Sequence, residues 1–105
     1  MAIHVEIVSA EGAIFSGDAD RVFAPARAGD IGIAPRHAPL LTTLKAGPVR
    51  VQTAEGEQFF YVTGGVLEIQ PHLVTVLADS ALHASQLDEA EARYRAAQEL
   101  KGKRS

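Results

Sequence analysis

The chain of 105 residues has no cysteine and no tryptophan, and only six of its residues are aromatic: four phenylalanines and two tyrosines. Without cysteine there can be no disulfide, no thiolate nucleophile and no cysteine-ligated metal. That absence fits a cytosolic setting. No charge of one sign dominates, because ten Lys/Arg face thirteen Asp/Glu for a net charge of −3. No Lys/Arg stripe occurs outside the last few residues, which argues against a nucleic-acid partner. Long apolar runs are missing too. The longest nearly apolar stretch, 59–67, is interrupted by Thr63, Gly64 and Gly65, and a bilayer span takes about 20 apolar residues. The start, "MAIHVEIV", lacks the basic end and cleavage site of a signal peptide. Any membrane association is therefore expected to run through a partner. The remaining composition, 47% hydrophobic and 22% charged, suits one globular domain with a single core.

Most of the chain reads as strand. Ile3, Val5 and Ile7 alternate with His4 and Glu6, the two-residue period of a strand with one buried face. Eight further runs follow: "AIF", "RVFAPA", "IGIA", "LLTTL", "VRVQT", "FFYVT", "VLEIQ" and "VTVLA". Glycine, proline and acidic pairs separate them, including Glu11-Gly12, Gly29-Asp30, Gly47-Pro48, Glu55-Gly56 and Gln70-Pro71. Short strands at even spacing predict a mainly β fold, an antiparallel β-sandwich or barrel of about ten strands over residues 1–80. A parallel α/β sheet would need crossover helices, for which there is no room. Gly64-Gly65 reads as a hairpin or a sharp bend.

Residues 81–105 read differently, as a linker and one C-terminal α-helix. Ser85 can cap its start and Asp88 stands three residues on. Acids crowd the first turns and Lys101, Lys103 and Arg104 the end, each complementing the helix dipole. Leu87, Ala90, Tyr94 and Ala97 form one narrow seam. A helix this short is marginal alone, so the seam needs a surface to lie on.

Catalytic sets are absent from the pattern. His4, His37, His72 and His83 include no pair at metal-ligand spacing. No G-x-S-x-G elbow, phosphate loop or dinucleotide fingerprint is present. His4 lies on the outward side of its strand and reads as a solvated residue. The stretch "GDIGIAPRHAPLL", 29–41, is the densest in special residues. Its glycines permit unusual backbone, and Pro35 and Pro39 stiffen it. It reads as a rigid loop with Asp30 at its tip. A purely structural loop and a partner surface both remain open on the residues alone.

The segment "GDIGIAPRHAPLLTTLKAGPVRV" resembles the ε subunits of bacterial F-type ATP synthases. The resemblance continues in "VSAEGAIFSG", "FFYVTGGVLEIQP", "VTVLADSAL" and "LDEAEA", in order along nearly the whole chain. It implies a β-sandwich followed by a helical hairpin. It implies a non-catalytic subunit of the central stalk that joins γ to the membrane c ring and turns with them. The catalytic α and β subunits would be met only indirectly, with no nucleic acid, no cofactor and no membrane insertion. The place implied is the cytoplasmic side of the bacterial inner membrane, peripherally. On the matching positions, Asp30 and Ile31 would face the c ring. Ser9, Arg36, His37 and Leu41 would face γ, making His37 a contact residue and not a catalyst.

Two departures shape the expectations. The chain stops where relatives carry a second helix, so a short form without the extended inhibitory state is expected. Some relatives bind ATP through Leu/Ile-Asp-x-x-Arg-Ala, and here Leu87-Asp88-Glu89-Ala90-Glu91-Ala92 puts a carboxylate at the arginine position. That reverses the charge a phosphate would meet, so no nucleotide site is expected. Two other readings make different demands. A free-standing sandwich module would show a concave apolar site on a face. A small β-barrel enzyme would bring His37 and Asp30 within hydrogen-bond reach.

Overall fold

The computed structural model describes residues 2–83. They form ten strands in sequence: β1 (Ile3–Ser9), β2 (Gly12–Ala19), β3 (Arg21–Ala26), β4 (Gly29–Ile33), β5 (Leu40–Leu44), β6 (Gly47–Thr53), β7 (Gly56–Val62), β8 (Gly65–Ile69), β9 (Leu73–Ala78) and β10 (Ala81–His83). The helix expected from Ser85, its seam and the Leu87–Ala92 motif lie outside the described residues.

Alternation does what the period-2 pattern predicts. In β1, Ile3, Val5, Ile7 and Ser9 are buried, while His4, Glu6 and Val8 are partly exposed. Hydrogen bonding links the strands in one path, β10-β7-β6-β3-β5-β8-β9-β1-β2, with β4 on β3. Folded over, the path makes two layers, β2-β1-β9-β8-β5 and β4-β3-β6-β7-β10. One core lies between them, built from Ile, Val, Leu, Ala and Phe60. At one side the layers join through a single pair, Ala26 with Leu44. At the other, Phe15 of β2 and Phe60 of β7 meet with ring centroids 5.3 Å apart. His83 of β10 packs edge-on against Phe60 at 5.1 Å. This near-closure shields the strand edges that a flat sheet would expose.

Two expectations need correction, and one choice left open is decided. The sheet is not wholly antiparallel, because β1 and β9 pair in parallel, His4 opposite Leu73 through Val8 opposite Leu77. No crossover helix is needed, since the rest of the domain forms their connection. Secondly, Gly64-Gly65 is a bend and not a hairpin. β7 pairs with β6 and β10, whereas β8 pairs with β5 and β9, so the chain changes layers at the glycines. Thirdly, β10 pairs with β7 from Ala81 to His83, so the sheet continues past residue 80.

That layer change is shared. The β5–β6, β7–β8 and β9–β10 connections all cross between layers, side by side. The Thr63 N–H donates to the Ser80 carbonyl at 3.1 Å, and the Asp79 N–H donates to the Gly64 carbonyl at 3.0 Å. Gly65 has φ +140°, and a Cβ there would overlap the Leu77 carbonyl oxygen. Gly56, the first residue of β7, has a similar φ of +131° but open space around it. Gly56→Ala is therefore expected to cost about 1–2 kcal/mol of backbone strain. Gly65→Ala is expected to cost more than about 3 kcal/mol, because overlap with backbone adds to the strain. Urea unfolding of the two variants checks this, and equal losses would show that φ alone matters.

Candidate partner interface

The stretch 29–41 is not one loop. It comprises β4, a connection over 34–39 and the start of β5. Pairing places its two ends apart. Gly29 and Asp30 pair with Ala26 and Pro25, beside the Leu44 row at the crossover corner. Leu40 pairs with Ile69 at the opposite end, where the Arg36 N–H donates to the Pro71 carbonyl at 2.9 Å. The strand between them rises about 3.3 Å per residue, so Asp30 and His37 cannot converge on one reacting group. The enzyme reading loses the arrangement it required.

Each expected contact residue has a definite setting. Asp30 is exposed one residue after the β3–β4 turn, whereas Ile31 turns the other way and packs partly against the core. Ser9 is only 8% exposed, and its Oγ accepts the Glu11 N–H at 3.2 Å. A contact at that position must be made by the exposed turn residues Ala10 and Glu11. Ser9 also lies at the corner end, since its neighbour Val8 pairs with Leu77, and so it does not share a patch with Arg36, His37 and Leu41. The His37 Nδ1–H donates to the Ala38 carbonyl at 2.7 Å, and its N–H donates to the Ala34 carbonyl at 3.2 Å. These bonds fold the connection on itself and orient the ring.

Arg36 has φ +66°, the left-handed region that costs a non-glycine residue about 1–2 kcal/mol. The side chain is exposed, and among the described residues its guanidinium takes no partner. The turn is held from within by the Arg36 N–H bond to Pro71, which leaves the guanidinium facing outward. Next to it, Leu41 is 68% exposed. It rims a shallow groove of about 290 Å³ with Pro39, Leu40, Glu68, Ile69 and Gln70. The groove lies at an end of the sandwich and not in a concave face, as the free-standing module would have it.

The register reveals surfaces that the sequence reading missed. On the outer side of the β1 layer, Thr43, Val66, Leu77 and Val8 stand in one row across four strands, with Ala13 of β2 beyond Val8. Leu77 is 51% exposed. This row runs into Leu41, one pairing step away diagonally. The other layer presents Phe59 and Tyr61, beside Arg50, whose guanidinium carbon lies 4.5 Å from the Phe23 ring centroid. Alternation alone marks these positions as outward. Only the pairing shows that they line up.

The comparisons with known proteins now decide the family. Residues 2–84 match the model described as ATP synthase, Delta/Epsilon chain, beta-sandwich domain. The chain belongs to the ATP synthase delta/epsilon family. It is 60% identical to an ATP synthase epsilon chain of Alkalilimnicola ehrlichii, covering 98% of this chain and 76% of that one. It is 61% identical to that of Nitrosococcus oceani, covering 88% of this chain and 66% of the other. A chain of the Euglena gracilis mitochondrial ATP synthase, solved as OSCP/F1/c-ring in a rotational state, superposes with TM-score 0.73 at 16% identity. That match covers 90% of this chain but 64% of the other, and at this identity it carries the fold. Membership makes this epsilon-family chain a structural component and not a catalyst. Among the described residues no helix is long and apolar enough to cross a membrane.

Arg36→Gly is expected to stabilise the domain by about 1 kcal/mol through relief of the positive φ, raising Tm by about 4–8 °C at this size. A thermal melt checks it. An unchanged or lower Tm would show that the guanidinium is used inside the fold.

Proposed function

We propose that this chain is a non-catalytic subunit of the ATP synthase central stalk that joins the γ subunit to the c ring, so that ion-driven rotation of the ring reaches the catalytic sites. The observation that carries the reading is the family match across residues 2–84, together with relatives named ATP synthase epsilon chain at 60% and 61% identity. A chain of the solved Tetrahymena thermophila mitochondrial ATP synthase central stalk/c-ring shares the fold at TM-score 0.65 and 15% identity.

The residues divide the work by position. Asp30, exposed beside the β3–β4 turn, meets the polar loops of the ring, where a rim ion pair sets orientation more than affinity. Ile31 braces it from the core side. Arg36, His37 and Leu41 meet γ, and the exposed row from Leu77 to Val8 extends that apolar contact. Ser9 acts by holding the β1–β2 turn in shape. A joint that transmits torque must not yield, and a sandwich packed to native density answers that need. The sandwich domain, expected over residues 1–80 and continued by β10 to His83, is the part that does this. The subunit sits peripherally on the cytoplasmic face of the bacterial inner membrane.

Co-purification with a γ subunit tests the reading. Wild type is expected to form a stable complex at micromolar concentration. Leu41→Asp, at an exposed position with little effect on stability, is expected to weaken it at least tenfold, the scale of an apolar anchor of about 1.4 kcal/mol or more. Asp30→Lys is expected to keep γ but to lose coupling on membranes that carry the c ring. Absence of γ binding by wild type would overturn the proposal.

A further inference from the structure

His4, which reads from alternation as a solvated histidine, is bracketed by two carboxylates. Its Nδ1 lies 3.1 Å from Asp18 Oδ1 across the strand pair, and its Nε2 lies 3.4 Å from Glu6 Oε1 on its own strand. Ser16 Oγ is also 3.4 Å from Nε2. Both ring nitrogens can serve two carboxylates only as donors, which requires the imidazolium. Asp18 and Ser16 belong to β2, which ends the sheet path and has β1 as its one paired neighbour. On its inner side β2 carries Phe15, which closes the core against Phe60.

We propose that His4 is a proton-operated clasp that holds the edge strand β2 on β1, bridging Asp18 and Glu6 when charged and releasing them when neutral. The other elements around His4 bring no competing charge into contact with it. Across the parallel pair it faces Leu73 of β9, and its own N–H donates to the His72 carbonyl at 3.0 Å. The next ionisable groups along the chain, Asp20 and the His72 ring, are exposed. Asp18, His4 and Ser16 stand in the order of a nucleophilic relay, but Glu6 occupies the same ring nitrogen that Ser16 would need. The chemistry is therefore that of a charge bridge.

The sign of the pH effect follows from the geometry. The Asp18 hydrogen bond, opposed by desolvation and reinforced by the Glu6 bond and by both charges, raises the ring's pKa above its ordinary 6.5. A group with a raised folded-state pKa contributes stability that is complete below the unfolded value and is lost as pH rises through the folded one. The clasp is thus closed at mildly acidic pH and opens as the pH climbs past that raised value. Loss of the cation leaves Asp18 and Glu6 with no bridge between them, and the strand that carries Phe15 loses its cross-strand tie.

The test uses the isolated chain, so its outcome is independent of γ. Proton NMR follows the ring of His4 against those of His37, His72 and His83. Amide exchange, corrected for intrinsic rate, compares β2 with the central strand β8 at pH 5.5 and 8.5. In wild type, His4 is expected to titrate above 6.5, and β2 protection to fall about two- to five-fold relative to β8, the range for an exposed ion pair. Asp18→Asn is expected to move the His4 titration down, and His4→Gln to make β2 protection independent of pH. A wild-type His4 that titrates at or below 6.5 would overturn the clasp. So would a His4→Gln chain whose β2 loosens with pH as wild type does.

Discussion

The fold rests on one close approach. At the crossover corner, Gly65 passes so near the Leu77 carbonyl that no side chain fits, and this contact lets β7 leave one layer and β8 enter the other. The β5–β6 and β9–β10 connections cross alongside, tied by the Thr63–Ser80 and Asp79–Gly64 backbone bonds. Because three connections change layers together, the two sheets are covalently laced at this end. The opposite side is closed mainly by packing, Phe15 on Phe60 and His83 on Phe60, with one backbone bond, from the Asp20 N–H to the Gln52 carbonyl at 2.7 Å, where β2 passes into β3. The sandwich is therefore laced at the corner and held chiefly by apolar contact at the seam. The largest fully buried side chain, Phe60, is the residue on which that seam closes.

Lacing the sheets at one end also decides where partners can reach. Asp30 and the β1–β2 turn share the corner end, while Arg36, His37 and Leu41 share the other. A partner that touches both sets must run along the sandwich and not cap it. The outer side of the β1 layer offers such a path, because Leu41 leads diagonally into the row of Val66, Leu77 and Val8. The shallow groove at Pro39–Leu41 is then one end of a longer apolar surface. A ligand cavity would have to enclose its guest, and this one does not.

The strands were legible because one face of each is buried and the period of two survives in the residue order. All nine runs read from the sequence correspond to β1 through β9 in turn. β10 escaped because three residues are too few to show a period. The parallel β1–β9 pair escaped because pairing partners are set by the closing of the whole domain and leave no local mark. Asp30, read at the tip of a rigid loop, is exposed but lies within β4, paired with Pro25. Its separation from His37 was hidden, since "GDIGIAPRHAPLL" is dense in glycine and proline and so resembles a loop even where β4 and β5 run through it. Arg36 gave no sign of its positive φ, because arginine is not a residue that announces that conformation. His4 was rightly placed on the outward side of its strand, but its partners were hidden for a related reason. Outward position in an alternating strand predicts exposure, but a cross-strand partner fourteen residues away depends on the hairpin register.

Register also joins the clasp to the interface. A bulge between Ile7 and Val8 shifts the β1–β2 pairing, so that Ala13 and not Ile14 stands beside Val8 on the outer face. The apolar row consequently ends on β2, the strand that His4 bridges from the far end of the same pair. Five residues of β1 connect the two, about 13 Å from His4 to Val8 at the rise of a strand. An edge strand with a tie at one end and a bulge at the other can loosen without disturbing β8 and β9, which are paired on both sides. Proton uptake at His4 thus acts on the rim of the outer face while the laced corner and the core stay unchanged.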